Sequence, residues 1–461
     1  MLIFLSISLA LVCALGLAAA WRVASAEGWM TAGRTLPSWV LAASWISAEF
    51  SAMTMLGVPA AAYRADWSLL QFFFGSALAR LVIAFIVLRR LYGKDPNLYA
   101  FLDERFGRIT RAVASISFIS ARTLSASVRL MAVAAIAASF FETKETAWIV
   151  AFAAASVVAL AGGGVRAAVW TGCLQAIAIV GGGLVVLWFL AGSFEGGVAE
   201  ALRVAGNAGR LSVWHWSAPA AILTGFFGSL AAFGTDQETM QRLFAARSRL
   251  TAQRAVIFAA AAAAAVLMLF LAVGTGLFVF YEQRTALALP AAADSVMPHF
   301  AFQALPFWRR AILLAAFVLA SIDLPLVGLT TVFPGPGTGG AKGLNRLRFG
   351  SIVWGVALAA IACIFANNPG GLWAAFKIGG VVYGPLLGVF AYGFFGPRRS
   401  DSAAALSLVL TALICAWALW SIESGVLAVE WRWLPVFGAG AAAVLTHGFS
   451  LIFQNDQTDP R

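Results

Sequence analysis

Six ionisable side chains lie inside strongly apolar segments of this 461-residue chain: Glu49, Arg80, Arg122, Arg129, Asp323 and Lys377. On insertion scales each costs at least about 2.5 kcal/mol at mid-bilayer, so such residues are expected to pair, face a bundle interior or line a water-filled path. Arg80 and Lys377 have stems long enough to snorkel to an interface, whereas Glu49 and Asp323 do not. The two acids are therefore candidates for binding a cation or a charged part of a solute.

Arg122 and Arg129 stand seven residues apart, close to two helical turns, so they share one face of a helix. A pair of arginines needs anions. Glu49 and Asp323 are one source, which would give a structural ion network, and an anionic solute is another. Four basic residues against two acidic ones inside the apolar segments favour the solute.

The composition around these charges is that of a membrane protein. Hydrophobic residues make up 61% of the chain and charged residues 11%, and the mean hydropathy is +0.88. A soluble domain is about 45 to 50% apolar and about a quarter charged. The 31 Lys and Arg exceed the 20 Asp and Glu, but they lie between apolar segments, which indicates membrane topology rather than nucleic-acid binding. The four cysteines and three histidines have no zinc, disulfide or haem spacing.

Thirteen apolar segments predict about 13 transmembrane helices. They run over 2–21, 37–62, 67–88, 112–140, 146–162, 167–192, 218–235, 255–281, 311–333, 350–366, 371–395, 402–422 and 433–453. With the N-terminus outside and the C-terminus in the cytoplasm, most basic links face the cytoplasm, as the positive-inside rule requires. We expect a multi-pass protein of the cytoplasmic membrane, in contact with the lipid bilayer, without a nucleic-acid partner or an obligate protein partner.

Two segments have the composition of broken helices. The second has small and polar residues on both sides of Glu49, and the seventh has three glycines before Asp236. They lie five spans apart, as in transporters built from two inverted five-helix repeats that each begin with a discontinuous helix. Unwound backbone at mid-membrane is tolerated where freed carbonyls line a site and bind a cation. The pattern predicts a secondary transporter.

Six runs of sequence, spread over nearly the whole chain, resemble the sodium:solute symporter family, which includes sodium/glucose, proline and sialic acid transporters. They are GRTLPSW from Gly33, FSAMTMLGVPAAAY from Phe50, FLDERFG from Phe101, AAVWTGCLQ from Ala167, TDQETMQRLFAARS from Thr235 and GGVVYGPLLGVF from Gly379. The resemblance implies an all-α membrane protein with a LeuT-type inverted-repeat core of ten helices, one extra N-terminal helix and two extra C-terminal helices. Within one transmembrane domain, we expect an N-terminal helix and loop (1–36), two repeats (37–192 and 193–395) and a C-terminal part (396–461).

The main sodium site of this family, carried over to the present sequence, implies backbone and hydroxyl ligands. The matching carbonyls are those of Ser47, Phe50 and Phe317, and the two hydroxyl positions hold Ala320 and Ser321. One hydroxyl is therefore missing. The loss of a ligand weakens the binding of a hard cation unless water or a carboxylate replaces it.

Some family members bind a second sodium ion through an aspartate in a W-T-D run. Here the run reads Trp170, Thr171 and Gly172, without the carboxylate. Asp323 lies three residues after Ala320, on the same helix face. Either the carboxylate has moved to Asp323, with Gly172 leaving room, or the second site is lost and Asp323 balances an arginine.

The resemblance also implies the residues that contact the solute, which are Glu49, Ser51, Thr54, Phe73, Ser125 and Ser229. Ser125 replaces the arginine that holds the carboxylate in sialic acid members, while Arg122 and Arg129 lie on the same helix face and are included in the predicted site. An anionic solute is expected. The apolar Phe73 argues against sialic acid itself.

Glu49 leaves alternatives open. A carboxyl desolvated beside an incomplete sodium site can carry a proton, or it can hold the cationic group of an amino-acid-like solute. We predict a transporter, not an enzyme, that couples cation entry to uptake of a small organic solute without a cofactor, with sodium as the coupling ion and a proton as the alternative. A non-transporting, sensor-like relative is a further alternative. An integral membrane transferase is disfavoured because the links lack clustered acids or histidines.

Overall fold

The computed structural model describes residues 2–215, 217–284, 295–320, 322, 324–332, 340–366, 371–397 and 400–453. Regular structure in these residues is helical, with an isolated bridge between Leu36 and Ala246. The helices are α1 (Leu2–Ala20), α2 (Ala26–Thr31), α3 (Ser38–Glu49), α4 (Ala52–Arg64), α5 (Leu69–Val82), α6 (Leu88–Leu91), α7 (Ala100–Arg105), α8 (Arg108–Phe141), α9 (Glu145–Leu160), α10 (Gly164–Ala191), α11 (Gly197–Asn207), α12 (Ala218–Gly234), α13 (Gln237–Phe244), α14 (Arg249–Glu282), α15 (Val296–Gln303), α16 (Phe307–Leu319), α17 (Leu326–Val332), α18 (Gly340–Ala366), α19 (Gly371–Phe395), α20 (Asp401–Glu423) and α21 (Leu434–Ile452). A π-helical turn, Ile83–Val87, joins α5 to α6.

Two pairs of helices are bent at a short break. In the described part of the chain, nine helices are long and apolar enough to cross a membrane, or up to 11 spans if each bent pair counts as one. The pairs are α3 with α4 and α12 with α13, each bent by 66°. They are the two segments that the composition predicted to be broken.

The predicted segment 311–333 is not one helix. α16 ends at Leu319 and α17 begins at Leu326, directly after Pro325. Proline has no N–H to donate and disfavours helical backbone in the residue before it, so the helix cannot run through this position. The segment 146–162 forms α9, which is shorter than the helices long enough to span a membrane unaided.

Glycine contacts bring α5 against α12. A side-chain carbon on Gly75 would overlap the carbonyl of Ile222, and one on Gly225 would overlap the carbonyl of Phe72. Small residues allow such close backbone approach between membrane helices. The contact places the buried face of α5 beside α12, the first helix of the second bent pair.

A similar contact fixes α3 against α10. A side-chain carbon on Gly172 would lie 2.7 Å from Ser47 Oγ and 2.8 Å from Ser44 Oγ. On the other side of the bent pair, Gly274 of α14 lies against the backbone of Pro59 in α4. The first bent pair is therefore held between α10 and α14, with its break facing the interior of the bundle.

Candidate solute and cation site

The first break lies between α3 and α4. Glu49 is the last residue of α3, and Phe50 is extended, with φ −90° and ψ 116°. Ser51 precedes α4, and its backbone N–H donates to Thr54 Oγ1 at 3.3 Å. A helix end leaves backbone carbonyls without the next helical turn, so this break offers oxygen atoms inside the bundle.

Glu49 forms an ion pair with Arg80 of α5. The Arg80 guanidinium donates to the Glu49 carboxylate, and their side chains are only 2% and 11% exposed. Arg80 also donates to Ser76 Oγ at 2.9 Å, and its guanidinium carbon lies 5.2 Å from the centre of the Phe233 ring. Arg80 therefore does not snorkel to an interface. By contrast, Lys377 pairs with the half-exposed Glu423 at 2.7 Å.

Hydroxyl groups extend this ion pair to the second repeat. Ser229 of α12 donates to Ser76 Oγ at 2.6 Å, and Ser76 in turn accepts from Arg80. A continuous chain of polar contacts thus runs from Ser229 through Ser76 and Arg80 to Glu49. Gly75 makes it possible because it allows α5 and α12 to approach within hydrogen-bonding distance of these short side chains.

The second break carries its own acid and arginine. Asp236 precedes α13 and accepts from the backbone N–H and the hydroxyl of Thr239, both at 2.9 Å. The other oxygen of this carboxylate lies 3.6 Å from Arg122 Nε and accepts from the Tyr383 hydroxyl at 3.3 Å. Sequence reasoning did not include Asp236 in the site. Its position at the end of a glycine-rich segment, three residues before a threonine, is the helix-capping signal that could have found it.

Arg122, Ser125 and Arg129 share the partly exposed face of α8, whereas Thr123, Ser127 and Val128 are buried. The Ser125 hydroxyl donates to the Arg122 carbonyl at 3.2 Å. Both arginines lie close enough to Tyr383 to interact with it electrostatically. The seven-residue spacing predicted this shared face. Glu49, however, has Arg80 rather than this arginine pair as its ion-pair partner.

Phe73 of α5 lies over the first break. The centre of its ring is 6.0 Å from that of Phe50. The predicted solute contacts Glu49, Ser51, Thr54 and Phe73 are therefore gathered at one break, and Ser229 joins them through Ser76. Arg122 and Arg129 belong to the group around Asp236 and Tyr383 at the second break.

The predicted cation ligands lie partly within the described residues. Ser47 and Phe50 flank the first break, and Phe317 lies in the last turn of α16. Phe50, Phe317 and Ala320 pack in the same buried cluster, which brings these segments together. Ser321 and Asp323 lie outside the described residues. The hydroxyls of Ser44 and Ser47 pack directly against Gly172, and the shift of the carboxylate from this position to Asp323 stays a prediction.

Helix α13 closes one side of this region. All eight of its residues are buried, although five are polar or charged. Arg242 donates to the carbonyl and hydroxyl of Ser44 at 3.0 and 2.8 Å, and Glu238 accepts from the backbone N–H of Gly328 at 2.6 Å. These bonds tie α13 to α3 and to α17. Opening that side of the bundle requires them to break.

The chain matches the model of the sodium:solute symporter family over residues 29–331. It is 24% identical over 423 residues to the sodium/sialic acid symporter SiaT of Proteus mirabilis, a match that covers 85% of this chain and 84% of that protein. It is 26% identical over 429 residues to the sodium-coupled monocarboxylate transporter 2 of Bos taurus, covering 86% and 68%.

The fold also matches a solved structure. A Na+-coupled sialic acid symporter in a substrate-bound, outward-open state superimposes with a TM-score of 0.87 at 21% identity, over 98% of this chain and 97% of that one. The predicted all-α, LeuT-type fold and the predicted family are confirmed, while the number of spans stays a prediction. The chain belongs to the sodium:solute symporter family and is a secondary transporter, not an enzyme.

Proposed function

We propose that this chain uses the sodium gradient to take up a small organic anion by alternating access. The observation that carries the proposal is the arginine-bearing face of α8 at the second break. Arg122 and Arg129 share this partly exposed face, and Arg122 Nε lies 3.6 Å from the Asp236 carboxylate. A solute carboxylate that reaches this face would meet both guanidinium groups.

Two of the relatives are consistent with this class of solute. One is named for sialic acid and another for monocarboxylates, and both kinds of molecule carry a carboxylate. Arginine binds carboxylates through two parallel hydrogen bonds, which gives both affinity and orientation. We assign the carboxylate of the solute to Arg122 and Arg129, and its uncharged polar groups to Ser51, Thr54, Ser125 and Ser229 beside Phe73.

For the coupling ion we propose sodium, bound by the carbonyl oxygens of Ser47, Phe50 and Phe317. Ser321 and Asp323 are proposed to complete the oxygen ligands that a hard cation requires. Movement of one charge through 100 mV supplies about 2.3 kcal/mol, enough for a solute ratio of roughly 50. Proton coupling through Glu49 is disfavoured, because its protonation would leave the buried Arg80 without its counter-charge.

The positions of the two bent pairs support the proposed division of the chain into two repeats. Each bent pair begins one of the repeats proposed for 37–192 and 193–395, with 1–36 and 396–461 outside them. The polar contacts from Glu49 to Ser229 join the two repeats. In this conformation α13 closes one side, so release of the solute on that side requires the Arg242 and Glu238 contacts to open.

Uptake by the purified protein in liposomes tests the proposal. We expect an inward sodium gradient to drive accumulation of a radiolabelled short-chain or sugar carboxylate, and we expect Arg129→Gln to reduce uptake at least about tenfold through loss of a charge-assisted bond. Arg203→Gln is the matched control because Arg203 lies on a surface helix with 67% of its side chain exposed. Uptake driven by a pH gradient without sodium would refute the coupling, and equal competition by neutral sugars would refute the solute class.

A further inference from the structure

Three arginines gather at one end of the bundle, away from the helix breaks. Arg22 follows α1, Arg166 lies in the first turn of α10, and Arg348 lies in the first part of α18. Arg348 donates to the carbonyls of Val23 and Gly162, both at 3.5 Å. Arg22 is the neighbour of Val23 and lies close enough to Arg166 for their charges to interact. Arg348 therefore binds the turn between α9 and α10, while Arg22 adjoins the Val23 that it also contacts and Arg166 lies just after that turn.

Across the described ranges of the chain, no carboxylate forms an ion pair with Arg22, Arg166 or Arg348. Arg166 donates instead to the carbonyl of Ala32 at 2.7 Å and to the hydroxyl of Thr35 at 2.9 Å. Like charges held within interacting distance repel one another. An anion bound between them would remove this repulsion.

Exposed apolar side chains lie next to the arginines. α9 packs against both α1 and α18. Each of the three helices presents an exposed apolar residue within about one and a half turns of Arg22, Gly162 or Arg348 along the chain: Leu17, Val158 and Phe349. Their exposed fractions are 49%, 47% and 66%. Trp21, which is 91% exposed, adjoins Arg22. Tryptophan is enriched where membrane hydrocarbon meets water, so these residues locate the arginines at the level of lipid headgroups.

We propose that Arg22, Arg166 and Arg348 bind the phosphate of an anionic phospholipid, whose acyl chains lie along the exposed faces of α1, α9 and α18. Basic pockets between membrane helices bind anionic headgroups in this way. Charge alone would suit a soluble phosphate equally well. The adjoining apolar surface favours the lipid, because it provides a place for acyl chains directly beside the headgroup.

Native mass spectrometry of the purified protein in neutral detergent tests the site. We expect dioleoyl phosphatidylglycerol to bind and phosphatidylcholine not to bind. Replacing all three arginines by glutamine should weaken binding of phosphatidylglycerol at least about tenfold, since each basic residue near an anionic headgroup contributes to the attraction. The matched control replaces the exposed Arg247, Arg249 and Arg254 by glutamine, which removes the same charge.

The outcomes separate this site from general attraction and from a soluble ligand. Equal weakening in the control variant overturns the site, and so does displacement of the lipid by millimolar glycerol 3-phosphate. Arg22→Gln alone keeps the test valid if the triple variant does not fold, because Arg22 is exposed and the hydrogen bonds of Arg166 and Arg348 remain. For Arg22→Gln we expect phosphatidylglycerol to bind several-fold more weakly, and unchanged phosphatidylglycerol binding contradicts the proposal.

Discussion

Removing Arg80 should leave Glu49 buried without a counter-charge. The pair is almost fully shielded from solvent, with 2% of the Arg80 side chain and 11% of the Glu49 side chain exposed. Breaking a buried ion pair by deleting one partner costs about 3 to 5 kcal/mol. An unfolding entropy of about 2.1 cal/mol/K per residue corresponds to roughly 1 kcal/mol per degree for this chain. We therefore expect Arg80→Gln and Glu49→Gln each to lower Tm by about 3 to 5 °C.

The double variant distinguishes an ion pair from two independent charges. With both groups neutral, neither charge is buried alone, so the double variant should be more stable than either single variant. Thermal unfolding of the detergent-solubilised protein, followed by tryptophan fluorescence, measures this difference. If the two losses add, the residues do not stabilise each other and the reasoning is refuted.

The exposed Lys377–Glu423 pair provides the control. Lys377 is 20% and Glu423 48% exposed, and solvent-exposed ion pairs contribute about 0 to 1 kcal/mol. Lys377→Gln should therefore change Tm by about 1 °C or less. Sodium-driven uptake adds a second measurement to the same variants. We expect the Glu49–Arg80 double variant to recover stability but not uptake, because Glu49 belongs to the predicted solute site and Arg80 is its ion-pair partner.

Two further predictions concern packing and pH. Gly172→Ala should destabilise the protein by about 1 to 3 kcal/mol through overpacking and should weaken sodium binding, because the added methyl group meets Ser47 and Ser44. The control is Gly181→Ala, since Gly181 lies on the same helix and has open space around it. Burial raises the pKa of the Asp66 carboxyl, but hydrogen bonds from Ser68 and His215 outweigh it and hold the pKa below its usual 3.8. A carboxyl whose pKa is lowered by folding stabilises the folded state at pH values above its unfolded pKa, and this stabilisation is lost as the pH falls through the folded pKa. Asp66→Asn should therefore lower Tm throughout the range from about pH 8 to pH 5. A difference in Tm that vanishes at pH 5 would contradict this prediction.

The sequence predicted those structural features that depend on the local composition of a segment. Small and polar residues around Glu49 and glycines before Asp236 predicted both broken helices, because backbone without a continuous helix has a recognisable composition. The seven-residue spacing of Arg122 and Arg129 predicted their shared face, because helical periodicity is local. The family resemblance predicted the fold for a different reason, through matches distributed along the chain.

Ion-pair partners could not be predicted in the same way. Glu49 and Arg80 are 31 residues apart on different helices, and their contact depends on how α5 packs against its neighbours. Gly75 and Gly225 allow that packing, but their positions in the sequence do not indicate which helices they bring together. The pairing of Arg122 with Asp236 has the same origin. Charged residues in apolar segments indicate that partners exist, and only the tertiary packing selects them.

The two acid–arginine pairs suggest how a solute can alter the helix breaks. Glu49 ends α3 and Asp236 directly precedes α13, so each carboxylate is fixed to a break by the backbone itself. Their arginines belong to other helices, α5 and α8. A solute carboxylate that binds Arg122 competes with Asp236 for the same guanidinium. Binding would then weaken the contact between α8 and the start of α13, the helix whose buried contacts close one side of the bundle. Under the proposed assignment, an anion would therefore act on the closed side through this ion pair, and a neutral solute in the same position would not.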